Sequence, residues 1–155
     1  MKKAEKIILV IALIIVGIII YKFGNMFSAG SYPNAKIYEI DRSEANIIKA
    51  VKLFKQKNSK YVVPDHIGLK DGRDKSNEHW YKLYFYYPDT KEIIFAWLRP
   101  TNSQSTSFAL VSINQGSELG NWKDINKDFR YFENKAQCDK FKKNILQPIK
   151  SILKK

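Results

Sequence analysis

The stretch Trp80–Leu98, WYKLYFYYPDTKEIIFAWL, decides how this chain folds. Two runs rich in aromatic and branched residues, Trp80–Tyr87 and Glu92–Leu98, flank the turn formers Pro88-Asp89-Thr90-Lys91. They read as an antiparallel hairpin. With a two- or four-residue loop, Tyr86 opposes Ile93, Tyr84 opposes Phe95, Lys82 opposes Trp97 and Trp80 opposes Arg99. Tyr81, Leu83, Phe85, Tyr87, Ile94, Ala96 and Leu98 then share the other face, whose one charge is Glu92 beside the turn. That second set is the better core. The first set mixes aromatics with cations, a composition enriched at binding surfaces. Trp80, Lys82, Tyr84, Tyr86, Phe95, Trp97 and Arg99 are therefore the candidate partner-binding residues. The competing reading covers this face with Tyr32–Ile40 or Trp122–Phe132. An odd loop length would exchange the faces of the second strand, because side chains alternate with period two.

Outward from the hairpin, Phe108–Asn114 (FALVSIN) reads as a third strand after the polar loop Thr101–Ser107, and Gln115–Asn121 turns the chain again. Trp122–Phe132 fits no firm assignment. Upstream, Asp65–His79 (DHIGLKDGRDKSNEH) reads as a long polar loop, and Tyr61-Val62-Val63 as a short strand stopped by Pro64. The spacing of Ile47, Ile48, Val51 and Phe54 predicts a helix over Ser43–Lys57, with Asp41 and Glu44 placed for a capping box. A last helix is expected from about Asn134, with Gln137 three residues on as a second capping-box partner. Its apolar stripe is Cys138, Phe141, Ile145, Ile149 and Ile152. Pro148 lies inside that helix, removes a hydrogen bond and predicts a kink or break near Gln147. The expected fold class is α+β: an antiparallel sheet of at least three strands with helices packed on one face.

The N-terminus carries a second strong signal. Ile7–Ile20 has no polar side chain, and Lys2, Lys3 and Lys6 precede it. As a helix this run covers about 21 Å, short of the ~30 Å hydrocarbon core. Extension through Tyr21, Phe23, Met26 and Phe27 reaches spanning length if Lys22 snorkels outward. The expected organisation is a signal anchor or transmembrane helix over 1–27, a linker over 28–35 and an extracytoplasmic domain over 36–155. The lysines hold the N-terminus in the cytoplasm, leaving the domain periplasmic or at the cell surface. A cleaved, secreted form is the alternative, although Ser28-Ala29-Gly30 is only a fair cleavage site. No Cys directly follows the run, which argues against a cleaved lipoprotein.

The net charge is +12, of which four lysines and Glu5 before Pro33 contribute +3, leaving +9 for the domain. Such a domain suits an anionic lipid or envelope polymer. Codon bias toward Lys, Ile, Asn, Tyr and Phe explains the excess equally well. No basic run is dense enough for a nucleic-acid arm, and none is expected to bind there. The single Cys138 excludes an internal disulfide, so packing must hold the domain.

Catalytic signals are weak. His66 and His79 share the 65–79 loop with Asp65, Asp71, Asp74 and Glu78, which leaves a loop-borne hydrolase as a minority reading. None of the spacings is a zinc pattern, and the Asp71–Glu78 stretch lacks the ligand positions and central glycine of a calcium loop. No Gly-x-Ser-x-Gly elbow is present. Cys138 lies on an apolar stripe, as a small hydrophobe would. The expectations are no catalytic residue, no metal and no cofactor. The function expected is that of a membrane-anchored, extracytoplasmic protein-binding module of an immunity type or within an envelope complex. An anionic envelope polymer or lipid surface is the alternative partner.

Overall fold

The computed structural model describes residues 11–17, 32–74, 77–116 and 118–154. Two compact units divide at Pro33: Met1–Pro33 and Asn34–Lys155. In the first, residues 11–17 are helical and expose Ile11, Leu13, Ile14, Ile15 and Val16. Most of the expected 1–27 anchor, and the linker through residue 31, lies outside the described residues. Among the described residues no helix is long and apolar enough to cross a membrane.

The second unit is α+β. Its strands are β1 (Lys36–Ile40), β2 (Gly72–Asp74), β3 (Asn77–Tyr87), β4 (Glu92–Pro100), β5 (Thr106–Asn114) and β6 (Trp122–Asp124). They form one antiparallel sheet in the order β1-β5-β4-β3-β2, with β6 also on β5. β1 pairs with Thr106–Leu110 and β6 with Ser112–Asn114, so the two short strands share the outer edge of β5 end to end. The four-residue turn fixes the predicted hairpin register: Lys82 opposes Trp97, Tyr84 opposes Phe95 and Tyr86 opposes Ile93. Between β4 and β5 a bulge sets Phe95 opposite Ser112 and Ala96 opposite Leu110, leaving Val111 over. The extra residue returns Ile113 to the face of Leu110. The carbonyl of Val111 accepts the N–H of Ile125 at 2.9 Å.

Helix α1 (Glu44–Lys57) and a C-terminal helical run cover one face. That run is α2 (Tyr131–Phe141), a π-helical turn (Lys142–Leu146) and α3 (Gln147–Ile152). Ile47, Val51 and Phe54 from α1 join Phe141, Ile145 and Ile149 over Leu83, Phe85, Ile94, Leu98, Phe108 and Leu110. Phe141 is the hub. Its ring lies 5.7 Å from Phe108, 5.9 Å from Tyr38 and 6.4 Å from Phe85.

Several expectations need correction. Tyr61–Val63 forms no strand: Ser59–Tyr61 is a 3-10 turn, and Tyr61 stacks on Phe54 at 5.3 Å. The supposed loop Asp65–His79 holds a 3-10 turn (Asp65–Ile67), β2 and the start of β3. Asp71 organises it, accepting the Tyr84 backbone N–H at 2.9 Å and the Lys55 ammonium at 2.6 Å. The capping box before α1 does not form. Ser43 is the N-cap without a side-chain bond, and Glu44 instead pairs with Arg73 of β2. The last helix begins at Tyr131, where Glu133 accepts the Arg130 backbone N–H at 3.2 Å. The helical run does not break at Pro148: a π turn over Lys142–Leu146 ends two residues before the proline. Widening there accommodates a residue that cannot donate to the carbonyl four positions back, and Ile145 and Leu146 are both buried.

Candidate interaction surface

Turned away from the helices, β3 and β4 present the seven candidate residues on one face. Trp80 and Trp97 lie with ring centroids 4.3 Å apart, and the Arg99 guanidinium sits 4.9 Å from the Trp80 ring. Tyr84 stacks on Phe95 at 5.3 Å, and Phe95 meets Trp122 of β6 edge-on at 6.3 Å. The register thus builds two aromatic pairs side by side, extended across the sheet by Trp122. Their accessibility differs. Trp80 and Trp97 are only 7% and 3% exposed, so neither indole is a contact surface, contrary to the expected accessible Trp97 anchor. Lys82, Tyr84, Tyr86 and Phe95 are half-buried and Arg99 is exposed. The neighbouring β5 positions are small or polar: Ser107, Ala109, Ser112 and Asn114.

Trp122 belongs to the Trp122–Phe132 segment that the competing reading sets over this face, whereas the role of Asn114 has no signal in the sequence. The Asn114 amide donates to the carbonyls of Gly116 and Glu118 at 2.8 Å, and its oxygen accepts the N–H groups of Gly120 and Asn121. One buried side chain thereby shapes the β5–β6 loop and delivers Trp122 to the sheet edge. The asparagine within FALVSIN signalled the end of a strand; its four bonds depend on the loop that follows.

The helix-covered face carries its own polar group. Glu92, 7% exposed, accepts Thr90 Oγ1 at 2.6 Å, Lys140 Nζ at 2.8 Å and Gln137 Nε2 at 2.9 Å. Burial works against its charge, yet the bonds from Lys140, Thr90 and Gln137 prevail and hold the carboxyl below its usual value. Lys140 also lies 4.2 Å from the Tyr87 ring centroid. The Tyr87 hydroxyl is buried without a hydrogen-bond partner among the described residues, and burial raises its pKa far above the ordinary phenol. Lys55 is the counterpart on α1: burial lowers its pKa while Asp71 pulls it back up. Both clusters tie helices to the sheet.

The residues suspected of chemistry are dispersed. His66 and His79 are exposed, and Asp71 is committed to Lys55 and Tyr84. The side chains of Asp74 and Glu78 lie outside the described residues. No three His, Cys, Asp or Glu residues among the described ones come together as a metal site. Cys138 is half-buried, packed against the core beside Tyr38, and burial pushes its thiol up. Two shallow grooves of about 190 and 210 Å³ flank Arg42 and Leu153, lined by Lys150 and Lys154 on one side and Lys49 on the other. Neither includes a candidate residue of the hairpin. No family model, curated protein or solved structure matches this chain.

Proposed function

We propose that this protein is a binding module, anchored in a membrane through residues 1–27, that presents its Asn34–Lys155 unit outside the cytoplasm to a protein partner. The observation supporting it is the row Tyr84–Phe95–Trp122 on the sheet face opposite the helices, flanked by Lys82 and Arg99. Half-buried paired rings beside cations offer contact area that loses little side-chain entropy on binding. Trp80 and Trp97, enclosed beside that row on the same face, act as its support. An immunity-type role or a place in an envelope complex fits a small, tethered domain of this kind. The test is photo-crosslinking in cells from a benzophenone amino acid at Tyr86, compared with the same probe at Lys57 on α1. Discrete adducts from Tyr86 alone are expected. No adducts, or the same adducts from both positions, would refute the assignment of the surface.

A second reading has its own observation. Arg42, Lys49, Lys150 and Lys154 outnumber Glu39 and Asp41 in the lining of the two grooves, and the domain carries +9. An anionic envelope polymer is the partner that such a lining suits. Its binding should weaken steeply between low and high salt, whereas an aromatic protein contact should change little.

A further inference from the structure

We propose that Tyr131 and Phe132, on the first turn of α2, insert at the headgroup level of an anionic bilayer and seat the domain against the membrane. The inference rests on the membrane-anchor reading above. Among the described residues these are the two most exposed large hydrophobic side chains, at 76% and 81%. Their rings meet edge-on at 5.3 Å, so they project as one wedge. Neither is spent on the core, for α2 buries only Phe141.

Their position gives the wedge a direction. The Asn126 amide donates to the carbonyl of Asn34 at 2.8 Å, and the Asn134 amide donates to Asn126 Oδ1 at 2.7 Å. Asn134 Oδ1 in turn accepts the Asn126 backbone N–H at 2.8 Å. Asn34 is the first residue of the compact unit, and Asn134 stands one helical turn beyond Tyr131. The chain therefore enters the domain beside the aromatic pair. Ser28–Pro33 can span at most about 21 Å, which bounds how far Asn34 can stand from the end of the proposed 1–27 anchor. Charge agrees. Lys36 opens β1 and acts on Cys138 of α2, Lys123 lies over the Phe129 ring at 5.6 Å, and Arg130 adjoins the pair. Asp124, Asp128 and Glu133 offset these three cations locally, so the attraction to anionic lipid rests on the +9 of the unit as a whole. Aromatic rings favour the boundary between headgroups and acyl chains, and anionic lipid attracts nearby Lys and Arg.

The test uses the full chain reconstituted in phosphatidylcholine–phosphatidylglycerol vesicles, with or without bromine on the acyl chains. Phe132→Trp is compared with the unsubstituted protein, whose three tryptophans supply the background. The emission added by the substitution should shift to the blue and be lost in brominated vesicles, with less loss in vesicles of phosphatidylcholine alone. Alkaline carbonate extraction of the same samples reports the anchor separately. A carbonate-resistant chain whose added emission survives bromine overturns the docking and leaves the anchor standing. Loss of emission in a chain that carbonate removes sustains the docking and removes the anchor. Equal loss in neutral and anionic vesicles overturns the anionic preference. A blue shift without bromine quenching, in a chain that runs as a dimer, assigns the wedge to a second copy and overturns the proposal.

Discussion

The two faces of the sheet are built from the same kinds of residue and used differently. Facing the helices, Phe85, Phe108 and Phe141 meet ring against ring, and the one charge, Glu92, is saturated by Thr90, Gln137 and Lys140. On the opposite face Trp80 and Trp97 are enclosed, yet Tyr84, Tyr86 and Phe95 keep part of their surface and the cations Lys82 and Arg99 lie among them. Aromatic content alone does not mark a core. What separates the faces is how far a second layer encloses them: helices bury the first, while rings and cations on the second keep part of their surface.

Matched truncations on the two faces make that distinction measurable. Phe141→Ala should lower stability most, by about 3–5 kcal/mol, because Phe141 joins α2 to three other aromatic rings. Chemical denaturation checks it. Phe95→Ala should cost about 1–2 kcal/mol of stability, since only part of its surface is lost from contact, while weakening the true partner by more than ~2 kcal/mol. Equal destabilisation by the two substitutions would show that the second face is an internal core.

Lys140→Met probes the polar latch and should cost about 1–3 kcal/mol. The sign of its pH effect follows from Glu92. A carboxyl held below its unfolded value stabilises the fold above the ordinary carboxylate range, and that contribution disappears as pH falls through the depressed native pKa. Without the ammonium, burial prevails and the Glu92 pKa rises. The acid-unfolding midpoint of Lys140→Met should therefore move to higher pH, which circular dichroism can follow. The smallest stability effect belongs to Arg99→Ala. Loss of an exposed cation–π contact should cost about 0.5–1 kcal/mol, with a slower, less salt-sensitive association as the clearer readout.

The hairpin was legible because Pro88–Lys91 fixes both turn and register, and register alone places Lys82, Tyr84, Phe95 and Trp97 on one face. Helix α1 was legible from Ile47, Val51 and Phe54, and the Pro148 disturbance from the chemistry of proline. β1 and β2 were hidden for a shared reason. At five and three residues they are too short for a periodic signal, and their pairing depends on residues far along the chain. Asp71 looked like a solvated loop acid until Lys55 and the Tyr84 N–H came to it. The sequence leaves the burial of Trp97 open between a binding face and one covered by the chain's own segments. A strand's alternation says which face a side chain takes and says nothing of how enclosed that face becomes.

The shared outer edge of β5 also bears on the order in which the domain can assemble. β1 pairs with residues 66 to 74 positions further along the chain, whereas β2, β3, β4 and β5 follow one another as a meander. A chain made from its N-terminus must therefore hold Lys36–Ile40 unpaired until Thr106–Leu110 has been synthesised. Closing so long a loop is entropically slow compared with zipping a hairpin. The β3–β4 hairpin is thus placed to form early, and the seam where β1 and β6 meet on β5 to close late. That seam adjoins Asn34, so the last part of the domain to become ordered is the part through which the chain arrives.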